Sequence, residues 1–248
     1  MTITAEQGYI IPAINTQDVD YVRCAEQLAD SIRCWHPTAN ITIITKDQLP
    51  YGDQDGFAND WQMFRASPYR QTIKLEADML ITSPIDHWWT MLQHRDLVIS
   101  TGARDFYNNE TDCRFYRQVF DVNNLPDVYN AVTYWRVSET AQYFFNLVRN
   151  IFENWSEFKT LLKYPDDVPT TDLVYAMAAV IIGPERVTIP WATYPKIVHM
   201  KKQIVPTQQS DWTKELVWEY DQGHLRINTV AQNGAFHYHK KTWNPNEQ

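Results

Sequence analysis

Short β-rich runs alternate with helix-periodic stretches up to about residue 185, and this alternation narrows the possible folds more than any other feature of the chain. YIIPAI (9–14) reads as a buried strand broken by Pro12. Residues 18–34 follow as a helix, with Val22, Ala25, Leu28 or Ala29, and Ile32 at helical spacing. ITIIT (41–45) and LVIST (97–101) are further strands, and AVTYWRV (131–137) alternates weakly as another. Ser138 stands where a cap belongs, before a helix whose Ala141, Phe144, Phe145, Val148, Ile151, Phe152 and Trp155 share one face. Another helix begins near Thr171 and Asp172. Strands interleaved with helices imply an α/β fold around a mainly parallel sheet. Beyond about residue 185 the pattern is irregular and rich in Trp, Lys and His.

One strand-like run carries charges that a core strand does not tolerate. In KLEADMLI (74–81), Glu76 and Asp78 sit among Leu75, Ala77, Met79, Leu80 and Ile81. Positions two apart on a strand share a face, so the two carboxylates would point together. Unpartnered, they repel, and burying either costs several kcal/mol or forces it to take up a proton. A divalent cation would remove both penalties. Alternatively, the strand ends at Leu75 and the acids form a solvated turn. In parallel α/β sheets ligands bind beyond the carboxyl ends of strands, and this stretch lies at such an end.

The bulk numbers restrict the partners. A chain of 248 residues with 44% hydrophobic and 21% charged residues has an ordinary globular composition and enough length for a large core. A net charge of −8 argues against a generally basic nucleic-acid surface. Three widely spaced cysteines, Cys24, Cys34 and Cys113, lack metal-ligand spacing and suggest free thiols in a reducing compartment. With no leader-like N-terminus and no long apolar run, the expectation is a cytoplasmic protein. Ten Trp and fourteen Tyr are the unusual feature. Most would fill the core, while some could offer faces to sugars or bases.

Four segments, in order, resemble GT-A type glycosyltransferases, most closely those like glycosyltransferase family 8. SPYRQTIKLEADMLITSPID (67–86) resembles the segment where an apolar strand runs into a D-x-D motif. VYNAVTYWRV (128–137) resembles the F-N-A-G strand, and PTTDLVYAMA (169–178) the segment near the anomeric centre. FHYHKKTW (236–243) resembles the closing H-x-x-G-x-x-K-P-W motif. The chain departs from the pattern at Glu76 for Asp, Val132 for Gly and Thr242 for Pro, and its closing motif is two residues short without its glycine.

The resemblance implies a GT-A (Rossmann-like) fold spanning 1–248 as one domain. Residues to about 100 would form the nucleotide-binding half, and the remainder the sugar and acceptor half. It implies a metal-dependent hexosyltransferase, retaining, that uses a UDP-sugar with Mn²⁺ or Mg²⁺. Glu76, Asp78 and either His237 or His239 would hold the metal, with Lys241 on the phosphates. Pro12, Ala13 and Asn15 would line the nucleoside site, Tyr21 would stack on the base or else be the first core aromatic of its helix, and Ala77, Asn130 and Ala131 would face the donor. Arg70 would contact the donor or form an exposed ion pair. Asp172 would either cap its helix or act beside the reacting carbon with Asn130. The segment 236–243 would close over the donor as a mobile lid. The acceptor would be a saccharide or, through a basic strip of KIVHMKK (196–202), Lys240 and Lys241, a hydroxymethylated DNA base. Two rivals share the sheet: a non-catalytic nucleotide-sugar or carbohydrate binder, and a nucleotidyltransferase. The latter would carry a glycine-rich basic loop after the first strand, where this chain has PAINTQD.

Overall fold

The computed structural model describes residues 2–54, 56–111, 117–189, 195–205, 207–208 and 211–247, so Cys113 lies outside the described residues. Five strands form the central sheet: β1 (Ala5–Pro12), β2 (Ile41–Ile44), β3 (Tyr69–Leu75), β5 (Leu97–Thr101) and β8 (Val128–Arg136), in the order β2-β1-β3-β8-β5. β2, β1 and β3 pair in parallel, and β8 runs antiparallel to both its neighbours. β4 (Met79–Ile81) leaves this sheet for another with β6 (Ala103–Arg104), β7 (Glu110–Thr111), β9 (Ile197–His199) and β13 (Ala235–His237). A three-stranded meander of β10 (Trp218–Asp221), β11 (His224–Ile227) and β12 (Val230–Ala231) completes the strands.

Alternating side chains bury both faces of the central sheet. Tyr9, Ile11, Val98 and Tyr134 pack with Ala25, Leu28 and Ile32 of the helix Tyr21–Trp35. Ile10, Leu97, Ile99 and Trp135 pack on the other side with Phe144, Phe145 and Val148 of the helix Glu139–Glu153, and with the helix Thr171–Ile182. A strand covered on both faces reads as a continuous apolar run, which is why YIIP and LVIS show little alternation. Each such fully buried side chain contributes about 1.5–3 kcal/mol. Among the described residues, no helix is long and apolar enough to cross a membrane.

Caps set the helix starts. Asp20 accepts from the Arg23 amide at 3.1 Å, so the first helix begins at Tyr21 and not at residue 18. Ser138 accepts from the Ala141 amide at 3.2 Å, where the sequence predicts the cap. Thr170, not Asp172, caps the helix Thr171–Ile182 by accepting from the Leu173 amide.

The segment beyond residue 185, irregular by sequence pattern, holds strands of two to four residues that are too short to show a period. Their pairing matters for the site. β13 lies antiparallel to β4 and parallel to β9, with His237 opposite both Met79 and His199. The chain therefore turns at Glu76–Asp78 between two sheets, and the C-terminal strand is delivered to that turn.

Candidate active site

β3 ends at Leu75, so the acids occupy a turn, but the turn is not solvated. Asp78 is 4% exposed and His237 3%. The His237 Nε2 lies 3.1 Å from Asp78 Oδ2 and 3.4 Å from Glu76 Oε2. Lys241 Nζ lies 2.7 Å from the same Asp78 oxygen. Burial alone would raise the Asp78 carboxyl, but the His237 and Lys241 charges outweigh it and hold Asp78 well below the usual carboxylate range. Glu76 has no such excess of cations. Burial, with Asp78 and Asp172 nearby and only His237 and Lys74 opposing, pushes it up to about 7. Burial would lower His237, and the two carboxylates raise it instead.

This donor set fits a divalent cation. Glu76, Asp78 and His237 each present one ligand atom within 4.8 Å of the others. Asp78 Oδ2 is buried and makes charge contacts but no well-directed hydrogen bond. Two carboxylates and one imidazole suit Mn²⁺, with Mg²⁺ tolerated by the oxygens. The protons shared near neutral pH by Glu76 and His237 would leave as the ion binds.

Behind the turn lies a buried polar chain. Lys74, 1% exposed, donates to Asp60 at 2.6 Å, and Tyr175 donates to the other Asp60 oxygen. Asn130, with its amide oriented by its partners, donates to Glu76 and Asp172 at 2.9 Å each and accepts from Lys74 Nζ at 3.1 Å. Asp172 also accepts from the Asn130 amide at 2.8 Å, and Arg117 Nη2 lies 3.5 Å from it. Asp172 thus ties the helix Thr171–Ile182 to β8 beside Glu76.

Two cavities meet at this cluster. One, of about 510 Å³, is lined by Pro12, Asn15, Tyr21, Ala77, Asp78 and Lys241. The other, of about 630 Å³, is lined by Arg117, Tyr129, Ala131, Tyr164, Asp172 and His199. Glu76, Asn130, His237 and His239 line both.

Most of the residues singled out by sequence come together here, and three expectations change. Ala13 is 1% exposed within the core under the nucleoside-side cavity, its amide bonded to Ile44 O, so its side chain does not line that cavity. Arg70 is an exposed ion pair with Glu6 at 3.1 Å. It stands six residues before Glu76 on β3, about 20 Å away at the usual strand rise, at the opposite end from the cavities. The segment 236–243 is anchored rather than loose: Phe236, Tyr238 and Trp243 are buried, and Arg23 donates to Lys241 O.

His237, not His239, faces the acids. His239 takes φ +58°, a left-handed conformation that costs a non-glycine residue about 1–2 kcal/mol, and stacks on His237 with centroids 4.0 Å apart. Sequence reading missed His199, Asp60, Lys74 and Arg117. The signal for Lys74 was present, since it stands two residues before Glu76 in the same apolar run.

The sequence matches no family profile and no curated protein. Solved structures are similar in fold. The galactosyltransferase LgtC, in complex with donor and acceptor sugar analogues, aligns at TM-score 0.50 and 12% identity over 94% of this chain and 87% of that one. Mouse xyloside xylosyltransferase 1, in its apo form, aligns at TM-score 0.50 and 10% identity over 97% of this chain and 100% of that one. Identities this low speak for architecture alone. The chain has the GT-A fold of glycosyltransferases.

Proposed function

We propose that the chain is a metal-dependent glycosyltransferase of the family 8 kind, working as one GT-A domain. It moves a hexose from a UDP-sugar to a saccharide hydroxyl. The observation that carries this reading is the Glu76–Asp78–His237 cluster, with Lys241 against it, at the junction of two cavities. A transferase needs a donor and an acceptor on either side of one charge-stabilising centre. The similar galactosyltransferase LgtC holds donor and acceptor sugar analogues in one structure.

In this reading Glu76, Asp78 and His237 hold Mn²⁺ or Mg²⁺, which supplies positive charge to the diphosphate as it departs. Lys241 adds a second cation on the same oxygens. Pro12, Asn15 and Tyr21 wall the nucleoside side, and Ala77 faces the diphosphate. Asn130 and Asp172 stand where the sugar passes between the cavities, with Ala131 beside them. Arg117 and Asn130 hold the Asp172 carboxylate in place, where it would steady positive charge on the sugar. That role accords with retention at the anomeric carbon. Tyr164, at the wall of the larger cavity, would offer a ring face to an acceptor sugar.

A hydroxymethylated DNA base is the weaker acceptor. Lys240 is paired with Asp211 at 3.0 Å and Lys241 with Asp78, so the basic strip read from the sequence is interrupted by acids. A panel of UDP-hexoses with Mn²⁺ and mixed saccharides tests the function by UDP release. Release that needs Mn²⁺, stops with chelator and quickens with a saccharide is expected. No release from any donor would leave the non-catalytic binder, and pyrophosphate release from nucleoside triphosphates would indicate a nucleotidyltransferase.

A further inference from the structure

We propose that His199, His237 and His239 form a second cation site, made of imidazole nitrogens alone, that takes Zn²⁺ or a similar borderline ion in competition with the acid-containing site for His237. The inference concerns ion binding only and does not rest on sugar transfer.

Backbone geometry assembles the three rings. His199 and His237 are register partners on adjacent parallel strands, β9 and β13, so their side chains leave the sheet side by side. Their ring centroids are 4.8 Å apart. Two residues on, the left-handed turn at His239 brings a third ring against both, 4.3 Å from His199 and 4.0 Å from His237 between centroids. One nitrogen from each residue lies within 4.8 Å of the others. All three side chains line the 630 Å³ cavity, which gives an ion a way in.

The partners of these rings are unusual for structural histidines. A buried imidazole is ordinarily held by an oxygen, which fixes its tautomer. His199 and His239 instead meet each other, with the His239 Nε2 at 3.1 Å from both ring nitrogens of His199. His237 directs Nε2 at Asp78 and Glu76, while its Nδ1 is buried without a hydrogen-bond partner. A proton on Nε2 leaves Nδ1 with a free lone pair. A metal-bound histidine whose other nitrogen donates to a carboxylate is a recurrent arrangement, and Asp78 supplies that carboxylate.

Three imidazoles with an open fourth position are a donor set for Zn²⁺ or Co²⁺, whereas Mg²⁺ requires oxygens. Modest rotation about χ2 would aim the stacked His237 and His239 rings at one ion. Competition follows from the same ring. In the acid-containing site the Nε2 of His237 is itself the ligand, but in the three-histidine site Nε2 keeps its proton and Nδ1 binds. One neutral imidazole cannot do both, so Zn²⁺ at this site would withdraw a ligand from Mn²⁺.

Titration of the whole chain with Zn²⁺ by calorimetry, and with Co²⁺ by visible absorption, tests the proposal without nucleotide. Wild type is expected to bind one Zn²⁺ and to show four-coordinate Co²⁺ bands. A Glu76→Gln, Asp78→Asn double variant should lose Mn²⁺ yet keep the Co²⁺ bands and still bind Zn²⁺, about tenfold more weakly because an amide replaces the carboxylate that orients His237. Added to that acid-depleted variant, His199→Ala and His239→Ala should each weaken Zn²⁺ binding by at least about a further tenfold and abolish the Co²⁺ bands, while each alone leaves Mn²⁺ binding at the acid-containing site, which reports that they fold. Three results would overturn the proposal: Zn²⁺ binding to the acid-depleted variant that survives both histidine substitutions, Zn²⁺ binding that disappears with the acids, or Mn²⁺ and Zn²⁺ weakened equally by His199→Ala.

Discussion

Replacing Asp78 by alanine is expected to lower metal-dependent turnover by about a thousandfold or more, roughly 4 kcal/mol of transition-state stabilisation. The reason lies in what surrounds it. Asp78 is the most buried carboxylate of the cluster, kept ionised by His237 at 3.1 Å and Lys241 at 2.7 Å. Without it, Glu76 and His237 retain only part of a ligand set, and Glu76 takes up a proton near neutral pH more readily than Asp78 does. Lys241 also loses the charge that positions it. Asp78→Asn separates the causes, because it keeps the volume and removes the charge. Both variants are expected to fold, since the flanking strands β3 and β4 are held by apolar packing and by pairing with β8 and β13. Near-normal turnover of Asp78→Ala, with the fold verified by circular dichroism, would exclude the cluster from the reaction.

The second large effect separates two adjacent lysines. Lys241→Ala is expected to raise the donor KM and lower kcat, for a combined loss of about a hundredfold in kcat/KM. Lys240→Ala should stay within about twofold. Lys241 touches Asp78 and lines the smaller cavity, so in the proposed reaction its charge would meet the diphosphate in the ground state and more strongly as the bond breaks. Lys240 pairs with Asp211, 38% of its side chain exposed, and a pair that exposed contributes little. Steady-state kinetics over a range of donor concentrations resolves both terms. Equal, small effects would mean that the C-terminal segment is only a structural strap.

Such a strap is already part of its character, because Tyr238 and Trp243 are buried around the lysines. Segment 236–243 therefore carries its site residues on fixed backbone, and the mobile lid inferred from the sequence gives way to a preorganised wall. The motif named His237 and Lys241, which the structure puts beside Asp78, but neighbouring histidines and lysines say nothing about how tightly Phe236, Tyr238 and Trp243 pack beneath them.

What sequence could and could not reveal divides along physical lines. The strands near 9–14, 41–45 and 97–101 and the helix after Ser138 were legible because long apolar runs and strong periodicity reflect a sheet covered on both faces. The acid pair was legible because charge in an apolar run demands a partner. Its histidine partner came only from the resemblance, which left His237 and His239 open. His237 reaches the turn through the pairing of β13 with β4, which joins positions more than 150 residues apart, and His199 arrives through the three-residue strand β9. Strands so short carry no period to read. Arg70 stayed open between a donor contact and the exposed ion pair it forms with Glu6, because composition near a site does not say which end of a strand a residue occupies. The chain Tyr175–Asp60–Lys74–Asn130 likewise joins four separate segments by hydrogen bonds that no local pattern encodes.

Calorimetric titration of UDP into the chain, with and without Mn²⁺, most directly tests the claim that the Glu76–Asp78–His237 cluster holds a cation that in turn holds a nucleotide diphosphate. Binding is expected in the presence of Mn²⁺, weakened by at least about tenfold when the ion is chelated. Mn²⁺ and UDP together should also raise the melting temperature by mass action, by about 5–10 °C at a hundredfold excess over Kd for a chain of this size. UDP binding equally tight with and without the ion, or no UDP binding in saturating Mn²⁺, would contradict it.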